Sequence, residues 1–198
     1  MKTWTIIAAL AACVCLAQEK PKNLTGWVPM FDGKSLSGWH PENQATWAVN
    51  RGIIVGSEGD GWLRSEKIYA DFALRLDFRN SAKGNSGVFL RASKDSKVGE
   101  PQNPASGYEL QIYNEDPNWA TGSIEDVIQR LAPVNPAPGA WHRYEVEVRG
   151  DHLTATLDGV KVLDGHDSHL KSGYIGLQHH KDNKVEFRKV MIKSVSES

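Results

Sequence analysis

Cysteine is almost absent from this chain. There are two, Cys13 and Cys15, and both lie in the apolar stretch near the start. Once that stretch is removed, no disulfide, thiolate metal ligand or thiol nucleophile is possible. The domain must then hold together on its core alone. An excess of charge of either sign is also missing, with 23 Lys and Arg against 24 Asp and Glu. The basic residues are dispersed, which leaves no patch or helix to seat nucleic acid. No apolar run is long enough for a transmembrane span. Three familiar catalytic signatures are missing too: there is no G-x-S-x-G, no H-E-x-x-H and no phosphate-binding loop.

The first residues do carry a signal. Met1-Lys2-Thr3 is followed by an apolar run from Trp4 to Ala17. A short positive region ahead of an apolar region too short to cross a bilayer reads as an export signal peptide over 1–17. Cleavage after Ala17 leaves a linker, 18–25, and one domain over 26–195. A second reading is open at Leu10-Ala11-Ala12-Cys13, where Cys13 becomes the lipidated first residue and anchors the protein to a membrane. Both readings export the protein, to the periplasm or beyond. About 180 residues remain, enough for one well-buried domain.

Period-two alternation dominates the rest of the chain. Phe72, Leu74, Leu76 and Phe78 alternate with Ala73, Arg75, Asp77 and Arg79. Tyr144, Val146 and Val148 alternate with Glu145, Glu147 and Arg149. Asn50-Arg51-Gly52 and Asp158-Gly159 read as hairpin turns. The parity of the last strand changes near Arg188-Lys189, which predicts a bulge. Only Ser123 to Leu131 suggests a helix, with Ser123 as N-cap and Asp126 at the third helical position. Two loops are long, roughly 93–106 and 114–140, and loops of that length are often functional. About ten short strands with tight turns predict an all-β sandwich.

One strand is unusual. In Tyr108-Glu109-Leu110-Gln111-Ile112-Tyr113, the apolar Tyr108, Leu110 and Ile112 share one face. Glu109, Gln111 and Tyr113 share the other, about 6.7 Å apart along the strand. A carboxylate, an amide and a phenol in a row can grip a hydroxylated ligand. The stretch Gly173 to His180 repeats the split, putting Tyr174, Gly176, Gln178 and His180 on one face. With Arg91 these residues would form a pocket holding an acid, a base and a cation. His179 falls on the opposite face and reads as structural. His179, His180 and Asp182 form a weak metal-ligand cluster. Six tryptophans lie beyond the leader, from Trp27 to Trp141. Such an excess suits stacking on sugar rings as well as core packing.

The ordered set of motifs resembles a family, the 3-keto-disaccharide hydrolase domain of the concanavalin A-like superfamily. It runs from Phe31-Asp32-Gly33-Lys34 and Gly38-Trp39 through Trp62-Leu63 and Gly84-Asn85-Ser86-Gly87-Val88-Phe89-Leu90-Arg91. It continues with Gly107 to Ile112, Thr121-Gly122 and Trp141, and ends with Gly176-Leu177-Gln178, His180 and Val185-Glu186-Phe187-Arg188. The resemblance implies a jelly-roll β-sandwich of two antiparallel sheets. It also implies action on an oligosaccharide or glycoside whose C3 hydroxyl has become a ketone.

Glucanases of this superfamily carry E-x-D-x-x-E on a comparable strand. The same register here reads Glu109, Gln111 and Asn114. Two-carboxylate hydrolysis needs a second acid that the strand does not supply. A C3 ketone removes that need. It acidifies the C2 proton, so a single base can start an elimination that expels the C1 substituent, and water adds afterwards. Glu109 or His180 is the expected base. Arg91, Gln111 and Gln178 are expected on the ketone and hydroxyls, with Tyr113, Asn85 and Trp62 as further substrate contacts. A divalent metal ion on His180 and Glu109 could replace the enolate stabiliser. The competing classes are a non-catalytic lectin-like module on the same fold and a structural domain with a filled outer face.

Overall fold

The computed structural model describes residues 26–96, 106–181 and 183–195. The leader and linker at 1–25, with Cys13, lie outside these residues. So do 97–105 of the first long loop and Asp182.

Thirteen strands make up the described chain: β1 (Val28–Pro29), β2 (Trp39–Asn43), β3 (Thr46–Asn50), β4 (Ile53–Ser57), β5 (Gly61–Tyr69), β6 (Phe72–Asn80) and β7 (Ser86–Ala92) come first. They continue with β8 (Tyr108–Ile112), β9 (His142–Arg149), β10 (His152–Leu157), β11 (Val160–His166), β12 (Gly173–His179) and β13 (Lys184–Ser194). Eight strands form one sheet in the order β11-β10-β9-β6-β13-β4-β3, with β1 against β13. Five form the other, in the order β2-β5-β12-β7-β8. Every pairing is antiparallel. The fold is the expected all-β, concanavalin A-like jelly-roll sandwich.

The core lies between the sheets, where the alternation read in the sequence delivers its apolar sides. Phe72, Leu74, Leu76 and Phe78 of β6 meet Tyr144, Val146 and Val148 of β9 there. Val88, Leu90, Tyr108, Leu110, Ile112, Ile175 and Leu177 face them from the five-stranded sheet. Two hairpins turn through left-handed pairs, Arg51 (φ 49) with Gly52 (φ 79) and Asp158 (φ 49) with Gly159 (φ 83). Both central residues with positive φ define the turn whose twist matches the strands it joins. The β6–β13 register slips between Arg188 and Met191, and Lys189 takes φ 51. This bulge lets Val185, Phe187, Val190 and Ile192 all point inward.

The segment Ser123–Leu131 corrects the expected helix. It is irregular chain with an isolated bridge from Ile124 to Leu110 and another from Ile124 to Ile128. Asp126 sits at φ 57, which breaks a right-handed helix. Ser123 Oγ accepts the Arg130 amide across seven residues instead of capping a first turn. Burial of Ile124 beside Leu110 outweighs the capping pattern.

Candidate functional site

The side chains that could do chemistry stand on the outer face of the five-stranded sheet. Cross-strand register places Arg64, Gly176, Phe89 and Glu109 in one row. Trp62 pairs with Gln178, and Gly87 with Gln111, in the next. The row at Glu109 continues past β8. The bridge at Ile124 puts Glu125 opposite Glu109, and the Glu125 amide donates to Glu109 O at 3.0 Å. Residues paired across antiparallel strands direct their side chains to the same face, so two carboxyl groups meet here.

Their electrostatics follow from burial. Glu109 is only 1% exposed. Burial pushes its carboxyl well above the usual range, and the charge and hydrogen bond of Glu125, with the charge of Asp126, push it further. The Gln178 amide, which donates to Glu109 Oε1 at 2.5 Å, opposes this without reversing it. Glu125 is half-buried and is also raised, by burial and by Asp126 and Asp116, while its hydrogen bond with Glu109 works the other way. Two carboxyls this close cannot both ionise cheaply. Both carboxyls are therefore held above their ordinary range, and Glu109 is the more buried of the two.

The surroundings fix this arrangement. A Cβ at Gly87 would fall 2.5 Å from Glu109 Oε1, so only glycine leaves room for the carboxyl to lean across β7. Gly176 similarly makes room for the Trp62 ring, which meets Phe89 edge-on at 5.3 Å. Trp62 Nε1 donates to Ser96 O at 3.2 Å. Gln178 has half of its amide on Glu109, while the other half, Oε1, is buried without a partner. A buried amide oxygen left open is costly unless something donates to it.

Not every expected residue joins this group. Arg91 is the clearest correction. It sits in a bulge at φ 52, where the β7–β12 register shifts, and this turns its side chain away from Glu109. There it is 1% exposed and fully engaged, with Asp71 at 2.9 Å and the carbonyls of Ala70, Gly150 and Leu170 at 2.6 to 2.9 Å. It fastens loops together and offers no free group to a substrate. His180 lies just past the end of β12, which stops at His179. It is partly exposed at the rim, with Asp60 at 3.7 Å.

Gln111 is buried, and its Oε1 accepts the Ile112 amide at 3.0 Å. Tyr113 stands half-buried just past β8, where its carbonyl receives the Thr121 amide. Asn85, at the start of β7, has a buried Oδ1 without a partner. His179 is buried as expected, with Nδ1 2.7 Å from Gly59 O and Nε2 3.0 Å from Asn183 O. Among the described residues, no three of His, Cys, Asp and Glu converge on a point that could hold a metal ion.

The carboxyl that sequence reasoning missed is Glu125. The strand of Glu109 does lack a second acid, but a neighbouring segment supplies it. The available signal was the acidic pair Glu125-Asp126 directly after Ser123-Ile124, in a stretch mistaken for a helix.

Residues 26–193 match the family model of the 3-keto-alpha-glucoside-1,2-lyase-like domain. A 3-keto-disaccharide hydrolase of Bacteroides thetaiotaomicron is 25% identical over 181 residues, covering 75% of this chain and 61% of that protein. The chain thus spans about three-fifths of the length of this relative. Among solved structures, a Parabacteroides distasonis protein provisionally named a glycosyl hydrolase superposes with a TM-score of 0.74 at 22% identity, over 86% of this chain and 94% of that one. The carbohydrate-binding module CBM66 of Bacillus subtilis superposes with a TM-score of 0.60, also at 22% identity, over 79% of this chain and 96% of that one. At these identities the two structures speak for the fold alone.

Proposed function

The chain belongs to the 3-keto-alpha-glucoside-1,2-lyase-like domain family, and from that premise we propose that it is an exported enzyme cleaving the glycosidic bond of 3-keto-glycosides. The apolar run Trp4–Ala17 supports export. The observation that carries the chemistry is the cross-strand pairing of Glu109 with Glu125, both carboxyls raised, beside the half-engaged amide of Gln178.

In this reading the two carboxyls have separate roles. Glu125 is partly exposed and ionised, and it removes the C2 proton, which the C3 ketone has made acidic. The electron pair left on C2 moves into an enolate, and the C1–oxygen bond breaks. Glu109, protonated, gives its proton to the departing oxygen. Glu125 now holds a proton and Glu109 is ionised, so water can add across the C1–C2 double bond with the roles reversed. The free half of the Gln178 amide orients the sugar, and Trp62 and Phe89, both buried, pack beneath it as an apolar support. This reverses the base role first expected of Glu109, because a buried carboxyl beside a second one keeps its proton.

Turnover of a 3-keto-glucoside by wild type, Glu109→Gln and Glu125→Gln tests the reading. Full turnover in both variants would sink it. The second reading, a lectin-like module, is favoured by the shared fold with CBM66, whereas the burial of Trp62, Glu109 and Gln178 favours the structural domain with a filled outer face. Sugar binding by the wild type without any turnover would select the lectin-like module.

A further inference from the structure

The outer face of the eight-stranded sheet, on the opposite side of the sandwich, carries a groove that this chemistry leaves unused. Its volume is about 300 Å³, and Trp27, Glu145, Glu147, Thr154, Thr156 and Lys193 line it. That is the lower end of the size range of small-molecule sites. The groove exists because Ala73, a small residue, stands between Glu147 and Lys193 in the cross-strand row. Trp27 forms a wall, with the Arg75 guanidinium 4.3 Å over its ring and Lys193 5.3 Å from it.

What distinguishes this groove is the polar capacity left open in it. Thr156 Oγ1 is shielded from water and has no partner, and Glu145 is exposed. The cleft at the end of the sandwich makes the contrast. Its Thr121 hydroxyl is on Asn114, its Asn114 amide on Asn135 and Pro136, and its His142 ring on Asp158 and Ala137. That cleft is internally satisfied; the groove is not.

Charge narrows the ligand. Glu145 and Glu147 are matched by Lys161 and Lys193 around the groove. Glu147 is already held by Arg149, and Lys161 by Asp164. A balanced lining favours neither an anion nor a cation. An indole wall, a shielded hydroxyl and a carboxylate suit the apolar face and the hydroxyls of a sugar ring. We propose that this groove is a second saccharide-binding surface, taking one unit of a neutral glycan apart from the Glu109–Glu125 site.

The test is a titration of isotopically labelled protein with unoxidised cellotetraose and maltotetraose, which lack the ketone, read by amide and indole chemical shifts. Saturable shifts at Trp27, Thr154 and Thr156 are expected with at least one of the two glycans. Trp27→Ala and Thr156→Val should each weaken that binding by about tenfold, while leaving turnover of a 3-keto-glucoside unchanged. Absence of saturable shifts in the groove with both glycans overturns the proposal, as does unchanged affinity in both variants. Loss of turnover in Glu109→Gln with groove binding intact would keep the two sites distinct. Failure of the catalytic reading therefore leaves this one standing.

Discussion

With 1% of its surface in contact with solvent, Glu109 gains little hydration from ionising, and Glu125 opposite adds repulsion. Glu109→Gln and Glu125→Gln are each expected to lower kcat/KM by roughly 10²- to 10⁴-fold, the range for a positioned acid or base. The double variant should be little worse than either single one, because the two act as a unit. Asp126 offers a finer probe, since its charge raises both carboxyls while its own side chain is exposed. Asp126→Asn also suits the left-handed φ of 57. Neutralising it lowers both carboxyls, so the alkaline limb of the pH–rate profile should move to lower pH while the maximal rate is retained. A limb that stays put would show that these carboxyls do not set it. At Gly87 the issue is steric. Gly87→Ala should displace the Glu109 carboxyl and cost about 10²-fold in turnover, measured beside an unchanged far-UV spectrum.

Elements explain why some of these residues were legible and others were not. Glu109 and Gln178 could be read because each lies in an uninterrupted strand, where parity alone assigns the face. Arg91 obeys the same parity on paper, but the bulge at its own position adds a residue and sends its side chain elsewhere. Sequence alternation cannot see a bulge that leaves the apolar pattern intact. Glu125 required a register between β8 and an irregular segment, and nothing local encodes that. The Lys189 bulge was visible because there the apolar parity itself changes. Arg91 now makes an element-scale prediction. Arg91→Met would take a donor from Asp71, which keeps the Gly150 amide, and from the carbonyls of Ala70, Gly150 and Leu170. The expected loss is about 3–5 kcal/mol of stability, read as a fall in the urea midpoint, with substrate affinity unaffected in the protein that remains folded. A direct loss of binding at unchanged stability would return Arg91 to the site.

For the molecule as a whole, two sets of carboxyls oppose one another across pH. Burial alone would raise Asp77, but Arg143 and Arg188, at 2.8 and 3.1 Å, with Lys189 hold it below its ordinary value. Those partners belong to β9 and β13, so Asp77 ties three adjacent strands of the larger sheet together. A depressed carboxyl contributes stability that is present above its unfolded value, about 3.9, and lost as pH falls through the folded one. Glu109 and Glu125 are raised, so their contribution is present below about 4.3 and is lost as pH rises through their folded values. Urea melts across pH should show both limbs. Asp77→Asn is expected to flatten the acid limb, and Glu109→Gln to flatten the decline at higher pH. An unchanged profile in either variant would remove that group from the balance.

The short pairing of Ser123 to Glu125 along β8 has one further consequence. Without it, β8 would be the open edge of the five-stranded sheet, and the Glu109 carbonyl and Gln111 amide would lose the bonds they make to Glu125 and Ser123. Such an edge is a template on which another chain can add a strand. The segment that delivers the second carboxyl thus also keeps molecules from joining edge to edge.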